Sequence, residues 1–253
     1  MKTWVDINYT EHDGDRQRLD IFAPEEEKCR ATVLWTHGGG LEAGSRKGFD
    51  GIAAQLCGAG IGFVSVEYRM YPEFAFPAFV EDNARAAAWL VKNAASYGLS
   101  NKIFIGGSSA GGYLTMMLCF ARKYLAAAGL SPEDFAGYIF DAGQPTTHFN
   151  ILKYRGEDPR LCRLDEAAPL WHVTDARPGR PIQVIYADDD MPARLEQNNL
   201  LLATLKHFGY DMGLVRVKLM EGYGHCGYDY EQKDGGWVLA GLIGDFVDFA
   251  LTK

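Results

Sequence analysis

Short apolar runs of strand length alternate along the chain with longer stretches in which apolar residues recur at helical spacing. The runs predict strands at Ala31–Thr36, Gly62–Val66, Lys102–Ile105, Ala136–Phe140, Ile182–Ala187 and Leu214–Leu219. The helical patterns fall at Gly48–Gly58, Phe79–Tyr97, Ala110–Ala128, Pro192–Phe208 and Trp237–Leu251, with Gly98 and Gly129 as C-terminal stops. Strands separated by helices imply right-handed βαβ units, hence a mostly parallel sheet covered on both faces, an α/β fold. Before them, Trp4–Phe22 holds two alternating runs around Asp13-Gly14, the pattern of an antiparallel hairpin at a sheet edge. From Asp141 to Pro181 the rhythm breaks: no strand pattern appears and Pro, Arg and Asp are frequent. Ligands bind beyond strand ends in open α/β sheets. We therefore read 141–181 as a small inserted segment over a site, within a single domain spanning 1–253.

The strongest chemical signal is Gly107-Ser108-Ser109-Ala110-Gly111, a G-x-S-x-G match between an expected strand and an expected helix. A sharp turn there lifts the Ser109 hydroxyl clear of the backbone. The following helix aims its positive end and free N–H groups at it. A glycine-rich loop could also cradle phosphate; the strand–turn–helix context favours a nucleophile. The second signal is His37-Gly38-Gly39-Gly40 directly after the strand Ala31–Thr36. Attack on a carbonyl creates an oxyanion that needs N–H donors already in place. Gly39 and Gly40 are the expected donors, joined by Ala110 after the nucleophile, with His37 supporting the loop.

A serine hydroxyl also needs a base, and in this fold the order is serine, acid, histidine. Of six histidines, His12 and His37 precede the serine, His148 and His172 lie in the insertion, and His207 falls inside a helix pattern. His225 follows the last strand in a stretch with two glycines and is the expected base. The acid must come from Asp188, Asp189 or Asp190, which stand together at the end of the strand Ile182–Ala187. Position alone leaves all three open, with cap and surface roles for the others.

In order, His37 to Gly40, Tyr68-Arg69, Pro72-Glu73, Phe76-Pro77, Glu81-Asp82 and Gly107 to Gly112 resemble the hormone-sensitive-lipase-like carboxylesterase branch of the α/β-hydrolase superfamily. The resemblance covers most of the chain and implies the α/β-hydrolase fold and a serine esterase. It departs at Ser108, where that family usually carries Asp. Setting Ala187 against the family's Gly-x-x-Asp loop puts the acid at Asp190, with Asp189 as runner-up. The short stretch before His37 implies a reduced cap and an open pocket. The expected reaction is hydrolysis of small or short-chain carboxylic esters through an acyl-enzyme on Ser109. Amide hydrolysis of the arylformamidase kind, acetyl-sugar or feruloyl ester cleavage, and a non-catalytic binding module on the same fold are the competing readings.

Composition changes this picture little. The 253 residues are 47% hydrophobic and 23% charged, an ordinary globular mix. The formal charge of -8 opposes nucleic acid and anionic membranes as partners. Five cysteines without a CxxC pair suggest neither a metal knuckle nor a disulfide framework, and the serine mechanism itself calls for no metal or cofactor. Free thiols, no leader-like apolar stretch and no membrane-length run make the cytoplasm the expected location. Cys57 and Cys119 fall in apolar helical patterns and are expected in the core. Tyr71, Phe74, Phe149, Tyr154, Trp171 and Tyr228 are the aromatic candidates for a pocket wall. The oligomeric state is not legible.

Overall fold

The computed structural model describes residues 1–11, 16–25, 28–174 and 179–253. Asp13-Gly14 and His12 lie outside the described residues. The strands are β1 (Lys2–Asn8), β2 (Arg18–Ala23), β3 (Ala31–Thr36), β4 (Ile61–Val66), β5 (Ile103–Ser108), β6 (Gly137–Asp141), β7 (Ile182–Asp189) and β8 (Val215–Gly224). They form one sheet in the order β1-β2-β4-β3-β5-β6-β7-β8. β1 pairs antiparallel with β2, and β2 antiparallel with β4; from β4 to β8 every pair is parallel. This is the expected mostly parallel α/β sheet with an antiparallel edge.

The period-2 alternation of strand side chains divides the core between the two faces. Leu34, Ile105, Tyr138, Phe140 and Val184 point to one side. That side is covered by α2 (Ala78–Asn93), α3 (Ala110–Phe120), α4 (Lys123–Ala127) and α6 (Arg194–His207). Val33, Trp35, Phe104, Ile139 and Ile185 point to the other. There α1 (Asp50–Gly58) and α7 (Val238–Ala250) cover them. Cys57 and Cys119 are buried in these layers, as expected.

Several boundaries differ from the sequence expectation. The pattern Ala110–Ala128 is two helices, not one. The backbone turns out of α3 at Ala121, whose N–H still bonds Met117 O. The Arg122 guanidinium then clamps Glu133 at 2.6 and 2.7 Å, holding the chain as it descends towards β6. The residues around the break, Cys119 to Ala128, contain no Gly or Pro and carry no sign of it. β8 runs five residues past its expected end, to Gly224, and a shift of register between Ala187 and Asp189 absorbs extra β8 residues. Beyond Asp141, the last residue of β6, the segment 141–181 holds one short helix, α5 (Phe149–Tyr154), and a helical turn at Pro169–His172, with no further strand among its described residues. It is packed rather than looped out: Gln144, Thr146, Thr147, His148 and Asn150 are all buried.

Buried charges tie the nucleophile side of the sheet together. Arg69, after β4, makes a two-pronged contact with the fully buried Asp82 of α2, at 2.7 Å on each prong. Arg85 and Gln17 bond the same carboxylate. Glu67 is buried against His37 (3.3 Å), Arg16 (3.2 Å) and Arg46. Arg46 also reaches Asp20 at 2.9 Å and Asp6. Burial alone would raise the Glu67 carboxyl, but His37, the Arg46 N–H and Arg16 outweigh it and hold it below the usual carboxylate range. A carboxyl depressed by folding stabilises the fold above its unfolded pKa, and that stability is lost as pH falls through the folded value. Glu67→Gln should therefore cost on the order of 3 kcal/mol at pH 7, as for a broken buried ion pair. The gap to the wild type should narrow below about pH 4.3, where unfolded Glu takes up its proton. Urea unfolding of both proteins at neutral and acid pH measures this.

Candidate active site

β5 ends at Ser108 and α3 begins at Ala110, so Ser109 alone makes the turn between strand and helix. Its backbone is held at φ 55° and ψ −113°, a strained conformation for a residue with a side chain. The turn fits because Gly107 and Gly111, two residues to either side, carry no side chain. A Cβ on Gly111 would stand 1.9 Å from the carbonyl oxygen of Thr36 at the end of β3. The Ser109 N–H is tied down by Asp141 O at 2.7 Å.

The three candidates converge on this turn. Ser109 Oγ lies 2.7 Å from His225 Nε2, and His225 Nδ1 lies 2.5 Å from Asp190 Oδ1. His225 is the first residue beyond β8, and Asp190 the first beyond β7. The structure separates the three adjacent aspartates. Asp188 accepts the Gly222 N–H at 2.8 Å, pinning the register shift in β8. Asp189 is exposed in strand pairing opposite Gly224. Only Asp190 reaches the imidazole; its side chain is 1% exposed and its Oδ1 also takes the Met191 N–H at 2.6 Å. None of the three caps α6, whose N-terminal residue Ala193 makes no side-chain cap.

The glycine loop after β3 lies against the same turn. Gly39 has φ 108°, and a Cβ there would meet Ala43 O at 2.1 Å, so no side chain fits. The N–H groups of Gly39, Gly40 and Ala110 donate to no acceptor among the described residues. His37 supports the loop from beneath: its Nδ1 is 2.6 Å from Gly38 O, and its ring stacks on Tyr68 at 4.5 Å. Tyr68 OH donates to His37 O. The other histidines stand elsewhere. His148 is fully buried, its Nδ1 accepts the Asn150 N–H at the start of α5, and burial drives its pKa well down. His172 bonds Glu166 O, and His207 closes α6.

A cavity of about 300 Å³ opens at the serine, walled by Gly39, Phe49, Ser109, His225, Asp229 and Tyr230. A larger depression of about 790 Å³ lies elsewhere, between the β1–β2 edge and α2. None of the six aromatic candidates lines the cavity at Ser109. Tyr228 is fully buried with its hydroxyl on Asp141, Tyr71 and Tyr154 stack on each other at 3.9 Å, and Phe74 lies under Arg69. Trp171 borders a separate hollow with Leu164, Leu200 and Phe208. Phe149 lines a second cavity of about 270 Å³ with Gln144, Leu161, Met191 and Arg194. Phe49 and Tyr230 carry no signal in the sequence: one lies in an apolar helix approach, the other in a polar turn.

Sequence reading also missed Asn150. Its Nδ2 donates to Gly40 O at 2.6 Å and to Glu42 Oε2 at 2.9 Å, and Lys153 Nζ bonds Glu42 Oε1 at 2.7 Å. Helix α5 of the insertion thus grips the glycine loop. Arg194, nine-tenths or more buried at the start of α6, donates to Ala142 O at 2.6 Å and holds the insertion's first turn to the acid loop.

Residues 19–130 match the BD-FAE family model, and residues 78–240, more than half of the chain, match that of the prolyl oligopeptidase family. Ethyl acetate hydrolase of Pseudomonas putida is 31% identical over 133 residues, 49% of this chain and 42% of that protein. Lipase 2 of Moraxella sp. (strain TA144) is 37% identical over 230 residues, 87% of this chain and 51% of that protein. The chain thus spans about half the length of these relatives. Esterase B from Lactobacillus rhamnosis superposes with a TM-score of 0.80 at 17% identity, covering 99% of this chain and 86% of that one, which shows a shared fold. No helix among the described residues is long and apolar enough to cross a membrane. The chain belongs to the prolyl oligopeptidase family of α/β-hydrolases, and its curated relatives place it beside the hormone-sensitive-lipase-like carboxylesterases.

Proposed function

We propose that this chain hydrolyses small or short-chain carboxylic esters, with Ser109 as nucleophile, His225 as base and Asp190 as the acid that orients it. The observation that carries this reading is the line from Ser109 Oγ through the His225 ring to Asp190, with contacts of 2.7 and 2.5 Å. Asp190 at Nδ1 leaves Nε2 free to take the serine proton and stabilises the imidazolium that forms. Ser109 Oγ attacks the acyl carbon while His225 takes its proton. The carbonyl oxygen becomes an oxyanion, received by the unengaged N–H groups of Gly39, Gly40 and Ala110 at the positive end of α3. His225 then returns the proton to the departing alcohol. A water, deprotonated in turn by His225, releases the acid and restores Ser109.

The size of the cavity supports small substrates, since about 300 Å³ is the lower end of the range for ligand pockets. A relative named for ethyl acetate hydrolysis supports the same substrate class. The segment 141–181 serves in this reading as a small cap over the site within one domain, gripping the glycine loop through Asn150. All five cysteines are free thiols, which fits a reducing compartment such as the cytoplasm.

Ser109→Ala should lower kcat on p-nitrophenyl acetate by a factor of about 10⁴–10⁶, as loss of a triad serine does. It should also abolish labelling by a fluorophosphonate probe. Undiminished hydrolysis or labelling in the variant sinks the assignment. Asn150→Ala frees the Gly40 carbonyl and slackens the donors. It should lower kcat by about tenfold to a hundredfold, with a smaller change in KM, because the donors act on charge that develops in the transition state. Steady-state kinetics on a series of p-nitrophenyl esters reads both.

A further inference from the structure

Beneath the serine turn the fold buries two carboxyl groups that no step above uses. Asp141, the last residue of β6, is fully buried and accepts the Ser108 hydroxyl at 2.6 Å and the Tyr228 hydroxyl at 2.5 Å. Its backbone carbonyl holds the Ser109 N–H. Asp229, four residues past His225, is 4% exposed and borders the cavity at Ser109. Carboxylate oxygens of the two aspartates and the Cys226 sulfur lie within 4.8 Å of one another. Asp229 Oδ1 is buried and meets no donor among the described residues. Neither carboxylate forms an ion pair with a described lysine or arginine.

Two like charges this close in a dry site do not both ionise. A proton between the two carboxyls resolves both difficulties at once. With it the unpartnered Asp229 Oδ1 belongs to a neutral carboxyl, and a single negative charge remains on Asp141, received by Ser108 and Tyr228. We propose that Asp141 and Asp229 share one proton through neutral pH, and that this pair is a positioning element for the serine turn. The positioning role rests on the reading of Ser109 as nucleophile; the shared proton does not. Burial, with Asp141 alongside, pushes the Asp229 carboxyl well up, and burial raises Asp141 as well.

The surroundings are consistent with one retained proton. Ser108 faces the pair from β5, and His225, Cys226, Tyr228 and Tyr230 face it from the segment after β8. His37 borders the same cavity from the loop after β3, while Asp190 and Arg194 act on Cys226 from the β7–α6 connection. Helix α3 offers only Gly112, packed on the Asp141 carbonyl. If the proton leaves, the two carboxylates repel, and the strain falls on the Ser108 contact and on the Asp141 carbonyl that holds the Ser109 N–H.

Infrared spectra of the whole protein at pH 7 decide the proton. A carbonyl-stretch band of a protonated carboxyl should be present in the wild type and missing in Asp229→Asn, whose amide supplies a fixed N–H donor to Asp141. Absence of any such difference overturns the shared proton. Kinetics decide the role. Asp229→Ala should lose about tenfold to a hundredfold in kcat with little change in KM, as for a misplaced reacting group. Asp229→Asn should recover most of that loss and push the alkaline fall of kcat to higher pH. Equal kcat and pH profiles in all three proteins overturn the positioning role. Activity that requires an added divalent cation means a metal ion, not a proton, joins the pair, and overturns the proposal. Fluorophosphonate labelling of wild-type Ser109 reports the nucleophile separately: without it that reading fails, while the infrared result still stands.

Discussion

The site depends on one close approach: the Thr36 carbonyl at the end of β3 pressed against the α-carbon of Gly111 in the first turn of α3. A one-residue turn from strand to helix folds the helix straight back over its own sheet. Any side chain at Gly111 would hold helix and strand apart, and the turn would have to open. With it closed, Ser109 is lifted into positive φ, the start of α3 faces the loop after β3, and Gly38 of that loop packs directly against Ser109. Steric exclusion at one α-carbon thus sets the geometry that the hydrogen bonds of the site then exploit.

What the sequence made legible follows from how local each signal is. The buried strands read as apolar runs because both faces of a parallel sheet are covered. The serine turn and the glycine loop read as motifs because they need particular residues at fixed neighbours. His225 could be reached by chain order. Asp190 could not be separated from Asp188 and Asp189 by position; the difference between them is that Asp188 is spent on Gly222 and Asp189 faces solvent. The extension of β8 was hidden because Glu221-Gly222-Tyr223-Gly224 has the composition of a loop. Its strand character comes from pairing with β7, which no local pattern encodes.

The polar residues that brace the site were illegible for the same reason. Asn150, Arg194, Asp141 and Asp229 are common residues in unremarkable contexts, and only burial gives them meaning. Ser108 is the clearest case. Where the esterase pattern puts an aspartate, this chain has a hydroxyl donor, and the carboxyl group is found on Asp141 of the next strand. The departure looked minor along the sequence, but in three dimensions it moves the carboxyl group to a neighbouring strand.

The strand order carries a mechanical consequence. Asp190 and His225 follow β7 and β8, which are direct neighbours joined by a long parallel ladder and by the Asp188–Gly222 bond. Ser109 follows β5, with β6 between it and β7. Asp190 and His225 are therefore aligned by one strand pair, and Ser109 is positioned from a strand two places away. Between them lies the β6–β7 seam, whose ladder registers from Tyr138 to Asp141. The distance between imidazole and hydroxyl is therefore set across that seam, which the Arg194 bond to Ala142 O and the Tyr228 bond to Asp141 clamp at its C-terminal end.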